Sequence, residues 1–116
     1  MYITSLSKVD SQPLMHEGAK KTYVKRLIGK EVGANKFFMR CYFVESGGCT
    51  PPDRHNYEHE VFVLKGKGVL VGEGFETEIK EDDCIFIACN EFHQFKNVDK
   101  EPLVFVCVRG ADELYK

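Results

Sequence analysis

Gly47–Gly68 reads GGCTPPDRHNYEHEVFVLKGKG. Its first half is turn chemistry, with paired glycines and Pro51-Pro52, and its second half is a strand pattern that ends at Gly66-Lys67-Gly68. Successive side chains in a strand alternate faces. Asp53, His55, Tyr57 and His59 therefore share a side with Val61 and Val63, while Arg54, Asn56, Glu58 and Glu60 take the other. The first set mixes imidazoles with apolar residues, which predicts a side facing a pocket. The second is polar and predicts solvent. The chain has four histidines, and a third member of this set, His93, stands in NEFHQF further on. On a straight strand residues 55 and 59 would lie roughly 13 Å apart, at ~3.3 Å per residue. Two imidazoles at that separation do not share an ion. A common site therefore requires a bend or bulge, where the Pro51-Pro52 loop enters the strand and Asn56 falls.

Strand signals continue on both sides of this stretch. Thr22–Ile28, Lys36–Glu45, Glu58–Lys65, Gly68–Val71, Phe75–Lys80, Cys84–Ala88, His93–Val98 and Leu103–Arg109 are rich in Val, Ile, Phe, Tyr and Thr. Gly, Asn and Asp turns separate them. No long segment has helical periodicity. Residues 10–20 have room for a single turn, and 111–116 for a short helical or frayed tail. About eight short strands with tight turns predict an all-β sandwich or small barrel. The core is expected over about residues 22–109, behind an N-terminal arm over 1–20. In Lys36–Val44 one face carries Phe37, Met39, Cys41 and Phe43, and the other carries Phe38, Arg40, Tyr42 and Val44. Both are apolar, so one face is expected to line the interior and the other to be covered by a second sheet or a partner subunit. A homodimer is the expectation.

At 116 residues the chain suits one domain, and 43% hydrophobic content argues against disorder. The net charge of −2 carries no nucleic-acid footprint. Lys20, Lys21, Lys25 and Arg26, the only basic run, read as the solvated face of a strand. No apolar run reaches the length of a membrane helix, and the N-terminus has no secretory pattern, so a cytoplasmic location is the default expectation. Five irregularly spaced cysteines fit reduced thiols better than a disulfide framework.

Two imidazoles on one strand face beside a carboxylate, with a third histidine opening another strand, favour a metal site over isolated core histidines. His16, in a polar stretch, reads as a surface residue. Leu103, Phe105, Cys107 and Arg109 share a face. Cys107 is either a small apolar core residue or a thiol at the pocket, and contact with the pocket is expected either way. Arg40 reads equally as an anchor for a substrate carboxylate and as a guanidinium reaching the rim. Tyr57 and Phe95 share parity with His59 and His93 and are candidate pocket walls. Cys49 and Cys89 lack Cys-x-x-Cys spacing, which argues against a thiolate metal site.

The central stretch resembles the first motif of the cupin superfamily, which runs Gly, five residues, His, one residue, His, three or four residues, Glu, six residues, Gly. Here the series is Gly47, Asp53, His55, His59 and Gly66 at the same spacings. The family's second motif ends in His, three residues, Asn, and His93 and Asn97 keep that spacing, although its Pro-x-Gly is replaced by Ala88, Cys89 and Asn90. EHEVFVLKGKG followed by NEFHQF resembles small single-domain cupins whose fourth ligand is a histidine. The resemblance covers roughly residues 35 to 109. It implies a jelly-roll β-barrel holding a divalent transition metal (Fe, Mn, Zn or Ni) on His55, His59 and His93. Asp53 stands where the family usually has its first histidine. It either ligates as a fourth donor or turns away, and both arrangements leave positions open on an octahedral ion. The implied function is a metal-dependent small-molecule enzyme of the dioxygenase type, using Fe or Mn. The alternatives are a non-redox isomerase, decarboxylase or lyase, and a binding or sensing module without turnover.

Overall fold

The computed structural model describes residues 1–115. Nine strands follow in order: β1 (Gln12–Pro13), β2 (Lys20–Ile28), β3 (Phe37–Cys49), β4 (His59–Lys65), β5 (Lys67–Gly72), β6 (Phe75–Lys80), β7 (Cys84–Ile87), β8 (Gln94–Lys96) and β9 (Leu103–Gly110). They form one rolled antiparallel sheet in the order β6-β5-β8-β3-β9-β4-β7, with β2 on β3 and β1 on β2. The remaining regular structure among the described residues is three single 3-10 turns, at Leu6–Lys8, Lys30–Val32 and Asp112–Tyr115. No described helix is long and apolar enough to cross a membrane.

The all-β expectation holds, with differences at the edges. A hydrogen-bonded turn falls within 10–20 as expected, at His16–Ala19, where the Ala19 amide donates to the His16 carbonyl at 3.1 Å; it follows β1, which pairs Gln12 with Val24, and a further 3-10 turn lies at Leu6–Lys8. β3 runs past Glu45 to Cys49 because the Gly47-Gly48 pair bulges. The register with β2 jumps there from Val44↔Thr22 to Cys49↔Lys20. Lys116 of the expected tail lies outside the described residues.

Period-two burial is clean along β4, where His59, Val61 and Val63 are buried while Glu60 and Phe62 point out. The interior is filled by Val44, Val61, Val63, Ile87, Leu103, Phe105 and neighbours drawn from both halves of the roll. Gly66 turns the chain between β4 and β5 at φ 84°, and a Cβ there would run into the Pro102 carbonyl. Only glycine combines that backbone with that approach.

The opposite face of β3-β9-β4-β7 is also apolar. Facing pairs Phe62↔Val106 and Val106↔Cys41 align across three strands. Part of this face is covered by the chain itself: Lys25, opposite Cys41, donates to the Leu6 carbonyl at 2.6 Å, which lays the N-terminal arm over β2. Phe62 and Phe86 remain 41% and 58% exposed.

Asn97, from the second motif, fastens the roll. It is 1% exposed, its Nδ2 donates to the carbonyls of Val44 and Glu101 at 2.8 Å each, and its Oδ1 accepts from the Asp99 amide at 2.9 Å. Asn97→Ala is expected to cost about 2–4 kcal/mol in chemical denaturation, since it strands three buried or half-buried backbone groups.

Candidate metal centre

β9 lies between β3 and β4, and its alternate residues climb from the core to the mouth of the roll. Phe105 sits between Tyr42 and Val63, Cys107 between Arg40 and Val61, and Arg109 between Phe38 and His59. Directly opposed side chains in an antiparallel sheet share a face. The apolar floor therefore gives way, two residues at a time, to a polar mouth.

The chain before β4 bends as shared chemistry requires. The ring centroids of His55 and His59 are 5.1 Å apart, against roughly 13 Å between the two positions on a straight strand. His93 joins them at 5.2 Å from His55 and 5.1 Å from His59. An isolated bridge places it: Asp53 and His93 exchange backbone hydrogen bonds of 3.1 and 3.0 Å, tying the Pro51-Pro52 loop to the segment before β8. The three imidazoles each offer one nitrogen, and all three nitrogens lie within 4.8 Å of one another.

Hydrogen bonds orient two of these rings. His93 Nδ1 lies 2.8 Å from the Glu91 carbonyl, which can only accept, so Nδ1 carries the proton and the Nε2 lone pair is free. His59 Nδ1 lies 3.1 Å from the Cys107 sulfur, while its Nε2 is buried with no partner. A buried, unpartnered imidazole nitrogen is costly unless something binds it. His55 stacks flat on Tyr57, with centroids 4.7 Å apart and planes 3° from parallel.

His55 and His59 are held neutral. Burial pushes His59 down to about 3, helped by His93, His55 and the guanidiniums of Arg40 and Arg109. Burial also lowers His55, against the opposing pull of Asp53. Neutral imidazole is the form that ligates metal. For Cys107 burial raises the thiol pKa against the lowering effect of Arg40, so it stays protonated.

A cavity of about 220 Å³ opens onto the cluster, and Arg40, Asp53, Tyr57, Phe95, Phe105 and Cys107 line it with the three histidines. Asp53 is outside the three-nitrogen group. Its Oδ2 lies 3.6 Å from His55 Nε2, and its Oδ1 accepts from the Arg54 amide at 2.8 Å. Cys49 and Cys89 are not among the lining residues, and all five cysteines are free.

Six further lining residues were not among the sequence candidates: Leu14, His16, Tyr42, Thr50, Pro51 and Arg109. Parity with Arg40 and Cys107 was a usable signal for Tyr42 and Arg109. Nothing in the sequence signalled His16. It is exposed, as expected, and it stands at the rim of the cavity because β1 pairs with β2 and the Leu14 amide donates to the Thr22 carbonyl at 2.9 Å.

Fold and site together describe a small β-barrel with a three-histidine cluster that could hold a metal ion. Residues 42–109 match the Cupin domain family, and the chain belongs to that family. Its fold superposes on the polyketide cyclase RemF from Streptomyces resistomycificus with a TM-score of 0.92 and 31% identity, covering 97% of this chain and 80% of that one. A predicted oxalate decarboxylase from Thermotoga maritima shares the fold at TM-score 0.86 and 22% identity, over 95% of this chain and 99% of that one. The 1-methylthio-D-xylulose 5-phosphate methylsulfurylase of Rhodospirillum rubrum is 32% identical over 75 residues, 64% of this chain. This chain spans about half of that protein, 47%.

Proposed function

We propose that this chain is a metal-dependent enzyme that acts on a small organic molecule without redox change, and that ring closure of a polyketide is its reaction. The observation that carries the metal part is the buried, unpartnered His59 Nε2 beside two further imidazoles. Similarity to a polyketide cyclase along nearly the whole chain supports the reaction. The donor set of imidazoles, with a carboxylate alongside, suits Fe(II), Mn(II), Zn(II) or Ni(II). A divalent ion held there by His55, His59 and His93 would supply a Lewis acid able to polarise a carbonyl.

The chain's own residues do the rest. Phe95 and Phe105 stack at 4.3 Å, and Tyr42 stacks on Phe105 at 5.3 Å, so the cavity lining is an interlocked aromatic cluster against which a conjugated chain folds. Burial raises the Tyr57 phenol, so it remains a proton donor at the mouth. Arg109 lies over the Tyr57 ring at 3.5 Å, is tied to Asp112 at 2.6 Å, and keeps that ring in place. The ring closure needs no oxidant: an enol carbon bonds to a ketone carbon of the same molecule as the enol O–H proton passes to the ketone oxygen, and the hydroxyl so formed then leaves as water with a hydrogen from the attacking carbon, which closes a C=C bond.

Asp53 serves in this reading as a fourth donor, because its Oδ2 stands next to His55 Nε2. Asp53→Asn is expected to weaken metal affinity about tenfold while leaving the three-imidazole site able to load, measured by competition with a chromophoric chelator. An unchanged affinity would leave Asp53 outside the coordination sphere. The exposed Phe62 and Phe86 face belongs to a homodimer. Light scattering is expected to give twice the chain's 13.3 kDa, and a monomer at micromolar concentration would contradict it.

The oxygenase expected from sequence uses the same donor set, but neither the polyketide cyclase nor the methylsulfurylase carries that description. Incubating metal-loaded protein with a linear poly-β-ketone under nitrogen separates the two. The proposal expects a ring-closed product lighter by one water. A product formed only as O₂ is consumed would select the oxygenase instead.

A further inference from the structure

Each charged side chain at the cavity has a partner except one. Arg109 is tied to Asp112, and Asp53 stands against His55. Arg40 has no carboxylate among the described residues. Its Nε is buried without a hydrogen bond, and its Nη2 reaches only the Cys107 sulfur, at 3.7 Å. Its guanidinium faces the Tyr42 ring at 5.3 Å, and that ring begins the Tyr42–Phe105–Phe95 stack. Arg40 and His59 meet on the same sulfur, so the guanidinium stands beside the imidazole cluster. A buried cation without a counter-charge is costly to keep. The Nε edge of a guanidinium is a fork that fits the two oxygens of a flat anion.

We propose that the ligand of this cavity carries a planar oxyanion, a carboxylate or an ionised phenol or enol, seated on the Nε edge of Arg40 with its conjugated part against the aromatic lining of Tyr42, Phe105 and Phe95. This deepens the reading of the cavity as a substrate site by giving the substrate a charge and an orientation. A volume of about 220 Å³ suits one or two rings more than a large molecule held whole.

The test uses metal-free protein, so that binding to the metal does not enter. Benzoate, 4-nitrophenolate and neutral benzamide are titrated by calorimetry, with the visible band of 4-nitrophenolate as a second readout. At least one anion is expected to bind ten times or more tighter than benzamide. Arg40→Met is expected to erase that preference, and Arg40→Lys to keep part of it. Preference for benzoate assigns a carboxylate, and preference for 4-nitrophenolate assigns a phenolate or enolate. Arg40→Gln replaces Arg40→Met if the latter does not fold, as judged by near-ultraviolet circular dichroism. The inference is overturned if benzamide binds as well as both anions, if no probe binds, or if loss of the guanidinium leaves the preference intact. Metal uptake on the same samples reports separately on the metal reading. Anion preference without metal uptake removes that reading and keeps this one, and metal uptake without anion preference does the reverse.

Discussion

His59→Ala is expected to weaken binding of a divalent metal by at least about a hundredfold, since losing groups that merely orient a ligand already costs 10–100-fold. His59 has the most constrained ring of the three. It opens β4 opposite Arg109, its Nδ1 is engaged by the Cys107 sulfur, and its Nε2 is buried without a partner. Alanine removes a donor that nothing nearby can replace. Metal content of protein purified without a histidine tag checks this, together with thermal unfolding with and without added ion. The wild-type chain should gain stability with ion concentration and the variant should not. Equal and negligible metal in both would remove the site.

The metal-free protein is expected to be acid-labile in a defined window. The His59 imidazole titrates at about 3 in the fold, against the ordinary histidine value near 6.5 in the unfolded chain. Between those values the unfolded chain binds the extra proton and the folded chain does not. Stability therefore rises with pH across the window, is complete above about 6.5, and is lost as pH falls toward 3. The loss is on the order of a few kcal/mol at most, from one buried imidazole that must stay neutral. His55, also lowered by burial, adds in the same direction. Urea midpoints from pH 7 to pH 4 should fall steeply for the wild type and more shallowly for His59→Gln. Parallel slopes would contradict the assignment. Loading the metal should shift the loss to lower pH, because the ion and the proton compete for the same nitrogens.

The legible parts of this molecule are local in sequence. Alternation along residues 59–63 decided the inward face of β4, since period two is a property of a single strand. The need for a bend before His59 followed from the length of an extended chain, and the rings do meet at 5.1 Å. His93 stood out as one of only four histidines, and motif spacing led to the family. The pairing that delivers His93, an isolated bridge to Asp53, joins residues forty apart and leaves no periodic trace. The same limit hid His16, which arrives with an arm whose two-residue strand is too short to carry a pattern. Arg40 was visible only as an oddity in an apolar strand. Its isolation from every carboxylate depends on where Asp53 and Asp112 fold, and each has another partner. The double apolar face of β3 suggested a covering layer, and part of that layer is the chain's own arm over β2.

The central claim is that His55, His59 and His93 hold one divalent ion. An anomalous difference map, collected at the absorption edge of the loaded metal from crystals of the wild-type chain, tests it most directly. The account predicts a single strong peak at bonding distance from one nitrogen of each ring, including Nε2 of His59 and of His93. A map with no peak inside the barrel, or a peak held by the cysteines alone, would contradict it.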